Sequence, residues 1–117
     1  PIGPAFGWRI HPIYGGYDFH TGIDITCAYG TPIKATAAGV VIKAGWEGGY
    51  GLRVEIDHQR DGISTLYAHC SKIIVTEGQS VKTGEVIGYV GSTGLSTDPH
   101  VHYEIRIYGK PIDPEAF

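Results

Sequence analysis

Apolar and polar residues alternate in short runs along this chain, and nowhere do apolar positions recur at helical spacing over ten or more residues. Runs of the strand type cover residues 39–46, 52–58, 63–69, 86–90 and 100–107. Turn-forming clusters separate them: Glu47-Gly48-Gly49-Tyr50-Gly51, Gln59-Arg60-Asp61-Gly62 and Gly91-Ser92-Thr93-Gly94. Asp61-Gly62 between two alternating runs is a hairpin signal, because both residue types accept the positive φ that a tight turn needs. Glycine (18) and proline (7) keep the intervening segments short. The pattern predicts an all-β domain, mainly antiparallel, related to sandwiches and barrels. It shows no linker and no internal boundary, so residues 1–117 read as a single domain.

Within that pattern the histidines stand out. In the run 100–107, His100 and His102 fall on one face, while Val101, Tyr103, Ile105 and Ile107 take the other. A second histidine segment is Phe19-His20-Thr21-Gly22-Ile23-Asp24-Ile25. Gly22 and the β-branched residues around Asp24 disfavour a helix there. Read as one extended segment, residues 20, 22 and 24 share a face, and Gly22 leaves room for an ion between imidazole and carboxylate. His69 closes a third run, residues 64–69, in the same parity as Thr65 and Tyr67, and its face stays open at this level.

Composition narrows the chemistry. The chain is 42% hydrophobic and 18% charged, which suits a folded domain. A net charge of −3 argues against nucleic acid as a partner and gives no pull toward anionic membranes. Apolar runs are too short to span a bilayer, so no membrane contact is expected from this segment. The chain opens at Pro1 without a leader, and a domain taken from a longer, exported protein is the expectation. Cys27 and Cys70 lie outside any CxxC spacing and are not read as metal ligands; whether they pair stays open. The glycine-rich loops lack a phosphate-loop lysine.

His20, Asp24 and one of His100 or His102 would supply two imidazole nitrogens and one carboxylate oxygen. That set suits Zn²⁺ and not the all-oxygen shells of Mg²⁺ or Ca²⁺. Three protein ligands leave a position for water, the arrangement of a catalytic zinc site. The remaining histidine of the pair and His69 then become acid–base and oxyanion partners.

The ordered motifs "HTGID" (20–24), "YAH" (67–69) and "STDPHVHYEI" (96–105) resemble the zinc endopeptidases of the lysostaphin/LytM type, peptidase family M23. Supporting stretches are "FGWRIHP" (6–12), "GTPIKATAAGVVIKAGW" (30–46), "GYG" (49–51) and "VKTGEVIGYVGSTG" (81–94), so the resemblance runs from Phe6 to Ile107. It implies one Zn²⁺ ion held by His20, Asp24 and His102, flanked by His69 and His100 as catalytic residues. It also implies an antiparallel β-structure whose site lies in a groove walled by loops. The implied activity is hydrolysis of peptide bonds in bacterial peptidoglycan, in the stem peptide or the cross-bridge, by attack of zinc-bound water. The setting would then be extracytoplasmic, with wall-binding or regulatory regions flanking the domain. Family members that do not turn over act as scaffolds or activators, and that is the alternative reading.

Arg9, Tyr14 and Tyr50 are the expected substrate contacts, with His11 and Tyr17 behind them. His58, at the end of a run beside a hairpin turn, reads as structural. Asp98 stands where the family carries a small residue; it orients His100, narrows the cleft, or is a loop residue without a role. The segment "GQSVKTGEVIG" (78–88) resembles the glycine turns of biotinyl and lipoyl carriers, but no lysine sits in the hairpin context those carriers need.

Overall fold

A computed structural model describes residues 7–10, 17–20, 22–94, 96 and 98–113, the first two segments by backbone alone. Among these residues all strand pairings are antiparallel. Strands β1 (Gly7–Ile10) and β2 (Tyr17–His20) form a ribbon with Gly7 opposite His20. The larger sheet comprises β3 (Ile23–Thr26), β4 (Pro32–Lys34), β5 (Gly39–Glu47), β6 (Gly51–Asp57), β7 (Ile63–Ile73), β8 (Ser80–Val81), β9 (Val86–Val90), β10 (His100–Ile107) and β11 (Lys110–Ile112). Its spine runs β11-β10-β7-β6-β5-β8, with β3 on β10, β9 on β7 and β4 on β9. The all-β expectation holds.

Alternation explains the layers. Ile33, Val41, Val54, Ile56, Tyr67, Val81, Ile87, Val90 and Val101 join one buried apolar cluster that draws on seven strands. Burying each such side chain is worth about 1.5–3 kcal/mol. Intervening residues of β6, β7 and β10 point the other way. They include Glu55, Ser64, His102 and Glu104, which are polar and nevertheless buried. The site is built on that second face.

Three departures from the sequence reading have local causes. Residues 20–25 are not one strand: β2 ends at His20, Gly22 lies in a bend, and β3 starts at Ile23 with a new partner. Nor is the place of a Gly22 side chain open space. A Cβ there would strike the carbonyl oxygen of Tyr103 and lie 2.9 Å from Glu104 Cγ, because β3 lies close against β10. Strand β7 continues past His69 to Ile73, because its second half exchanges β10 for β9 as partner. The hairpin at Asp61-Gly62 is present, with φ of 53° and 69° at those residues.

Candidate metal centre and active site

Register places the first pair. Asp24 on β3 lies directly opposite His102 on β10, and Ala68 of β7 is opposite His102 on the other side. Asp24 Oδ1 is 3.0 Å from His102 Nδ1 and 3.5 Å from His100 Nε2. Both Asp24 and His102 are buried. A carboxylate and imidazole nitrogens meeting this closely out of water share a proton or a metal ion. The donor types fit zinc. Asp24 and His102 are the two proposed ligands whose side chains are described. The side chains of His20 and Arg9, and all of His11 and Tyr14, lie outside the described residues, as does the side chain of Tyr17. Among the described residues alone, no group of three donors is gathered at metal-binding spacing.

His69 reaches the site through an unusual backbone. Simple alternation would send it to the face of Tyr67. Its φ is +64° instead, the left-handed region, where β7 is irregular. The ring lies 4.8 Å from that of His100 and 6.1 Å from that of His102, between centroids. Its Nδ1 donates to the carbonyl of Thr93 at 2.6 Å. His100 is held in the same fashion: Nδ1 donates to the carbonyl of Asp98 at 2.7 Å, with Ser96 Oγ at 3.2 Å. Loop carbonyls thus take one nitrogen of each ring, which leaves Nε2 as the proton-transfer atom. At position 98 it is the main chain that orients His100.

Burial pushes the His69 pKa down to about 4; the positive neighbours His100 and His102 act the same way, against the Thr93 carbonyl and Asp24. For His100, burial pulls downward, but the hydrogen bond to Asp24, the Asp98 carbonyl and the charge of Asp24 hold it above the ordinary value. His102 is likewise raised against burial by Asp24 and Glu104. The sign for His69 is that of a base with a lowered folded-state pKa. Between pH about 6.5 and about 4 the unfolded chain binds more protons at this residue. Its contribution to stability is therefore complete above that window and lost as pH falls through it. In the metal-free chain, an NMR titration of ring carbons should show His69 neutral at pH 6; a midpoint near 6.5 would refute this.

Sequence reasoning missed Glu104, Thr93 and Ser96. The signal for Glu104 was available: it shares the parity of His100 and His102 on β10. It is fully buried and accepts from His102 Nε2 at 2.8 Å, Tyr50 Oη at 2.6 Å and Arg106 Nε at 2.8 Å. Tyr50 thus sits beside the site, its ring 5.7 Å from that of His102. His58 is engaged at both nitrogens, with the Ala38 carbonyl and Thr65 Oγ1, each at 2.8 Å. Cys27 and Cys70 are free thiols, and burial pushes Cys70 up to about 12, which leaves it unreactive.

Comparison with known proteins places the sequence and the fold among the M23 peptidases. The model of peptidase family M23 matches residues 18–114. The DD-carboxypeptidase/endopeptidase Mpg of Neisseria meningitidis is 52% identical over 113 residues, covering 97% of this chain and 26% of that protein. The catalytic domain of lysostaphin from Staphylococcus simulans superposes with a TM-score of 0.90 at 34% identity, covering 100% of this chain and 90% of that one. A zinc-containing peptidase from Vibrio cholerae gives 0.87 at 35% identity, covering 97% of this chain and 35% of that one. The chain spans about a quarter of the length of the curated relatives it matches. With the ordered histidine motifs, the antiparallel fold and these matches in agreement, the chain belongs to peptidase family M23.

Proposed function

We propose that this chain is a zinc-dependent endopeptidase domain that hydrolyses peptide bonds in bacterial peptidoglycan outside the cytoplasm. Within the wall, the bond assigned is the DD cross-link between stem peptides. The similarity to a DD-carboxypeptidase/endopeptidase, and to DD-endopeptidases of Vibrio cholerae at 41% and 38% identity, supports that choice. The observation that carries the hydrolytic reading is the meeting of Asp24 and His102 across β3 and β10, beside two further imidazoles fixed on loop carbonyls.

His20, Asp24 and His102 would hold one zinc ion. Zinc supplies Lewis acidity that activates water and polarises a carbonyl. His69, neutral through burial, accepts the proton of the attacking water at Nε2. His100, when protonated at Nε2, donates to the oxygen on which negative charge grows, and then to the departing amine. Arg9, Tyr14 and Tyr50 are assigned to the substrate, and other parts of a longer protein to wall binding or regulation.

The test is incubation of the zinc-loaded chain with purified DD-cross-linked muropeptide dimers and, separately, with glycine-bridged wall fragments. Mass spectrometry should find stem-peptide monomers, one water gained per cut, and at least about a hundredfold less of them with His100→Ala. Cleavage of the glycine bridge alone would overturn the bond assignment. No cleavage of either by protein with zinc bound would overturn the hydrolase reading. Asp24→Ala should weaken zinc binding roughly a hundredfold or more, as loss of a direct ligand requires; wild-type affinity, measured by chelator competition, would remove Asp24 from the ligand set.

A further inference from the structure

Strand β10 carries a row of four polar residues on one face: His100, His102, Glu104 and Arg106. The third has no place in the hydrolytic reading, yet it is the most completely buried of the four. A carboxylate withdrawn from water persists only when its oxygens are taken by donors and its charge is matched. Glu104 meets both conditions. Oε1 accepts from Arg106 Nε at 2.8 Å, and Oε2 accepts from Tyr50 Oη at 2.6 Å and from His102 Nε2 at 2.8 Å.

Its partners are themselves fixed from other elements. Arg106 extends one η-nitrogen to Glu55 Oε1 on β6 at 3.4 Å, and Ser64 of β7 donates to Oε2 of that same carboxylate at 3.0 Å. The other η-nitrogen reaches Tyr50 Oη at 3.2 Å, and the guanidinium carbon lies 5.9 Å from the centre of the Tyr50 ring. Gly22 brings β3 down against the Glu104 side chain. The position of the carboxylate is therefore set by β3, β6, β10 and the tip that joins β5 to β6.

We propose that Glu104, locked by Tyr50 and Arg106, is a positioning residue that decides which nitrogen of His102 binds the metal. By taking the proton on Nε2 it leaves the Nδ1 lone pair facing Asp24, and it makes that nitrogen a stronger donor. The proposal rests on the zinc reading above and goes beyond its ligand set. An amide at position 104 cannot serve equally. Arg106 Nε is a fixed cationic donor and claims the single amide oxygen. The NH₂ group then turns to His102, competes for Nε2 and favours the wrong tautomer.

The test compares wild-type, Glu104→Gln and Tyr50→Phe chains by zinc dissociation constant, from competition with a chromophoric chelator, and by the melting temperature of each metal-free chain. Glu104→Gln should bind zinc about 10–100-fold more weakly. In the zinc-loaded wild type the His102 Nε2 proton should appear as a slowly exchanging low-field NMR signal, and the amide variant should lose it. A purely structural Glu104 would lower the melting temperature and leave both readouts unmoved, which would overturn the proposal. Tyr50→Phe keeps every charge in place and covers the case of an amide variant that does not fold. A several-fold weaker zinc affinity at unchanged melting temperature supports the relay, and wild-type affinity overturns it. Failure of the wild-type chain to bind zinc would instead overturn the metallopeptidase reading.

Discussion

His100→Ala is expected to retain zinc and to lower kcat/KM by about 10²–10⁴-fold, the range for removal of a positioned acid or base. The imidazole reaches toward Asp24 only at 3.5 Å, whereas His102 stands at 3.0 Å in register with it, so the metal should survive the change. His69→Ala should cost a similar factor. It carries a second signature, because alanine at φ +64° keeps the backbone strain while losing the side chain. His69→Gly should therefore be more stable than His69→Ala by about 1 kcal/mol, the reverse of the usual strand preference. Steady-state kinetics with metal analysis, and a pair of thermal melts, decide these points. Loss of zinc in His100→Ala would move His100 into the ligand set, and an alanine variant as stable as the glycine one would deny the strain.

Gly22→Ala is expected to cost about 3 kcal/mol or more and to abolish activity, although the residue has no functional group. The added methyl meets the main-chain oxygen of Tyr103 and the Glu104 side chain. Neither can give way cheaply, since one belongs to the β10 ladder and the other is held by Tyr50, His102 and Arg106. Strand β3 must retreat, and Asp24 retreats with it from His102. A large fall in melting temperature should thus accompany a large loss of zinc affinity. A variant that melts with the wild type would show that β3 does not lie this close to β10.

Much of this was legible in the sequence, for physical reasons that can be named. Period-two alternation marked the five longer strands, because each has one face in the apolar cluster. Strands β4, β8 and β11 are two or three residues long, too short to show a period, and only their partners define them. Residues 20–25 looked continuous because parity counting does not register a bend at Gly22. Residue types and spacing already grouped Asp24, His69, His100 and His102, and the ordered motifs sharpened their roles, but the face of His69 stayed open because parity alone counts it with Tyr67. A single backbone angle reverses that placement. Glu104 shared the histidine face in plain view, but a glutamate on a strand ordinarily faces water, and only its full burial marks it out.

The tip at residues 48–51 has a consequence for variation. A Cβ on Gly51 would lie 2.5 Å from the Thr93 main chain, and one on Gly94 would strike the Gly49 carbonyl, so two loops are meshed backbone to backbone. One of them carries the Thr93 carbonyl that steers His69, and the other carries the Tyr50 that steers Glu104. Surface loops ordinarily absorb added residues at little cost. Here one inserted residue would disturb both halves of the site together, and a peptide grafted into this tip should silence the protein with all of its histidines intact.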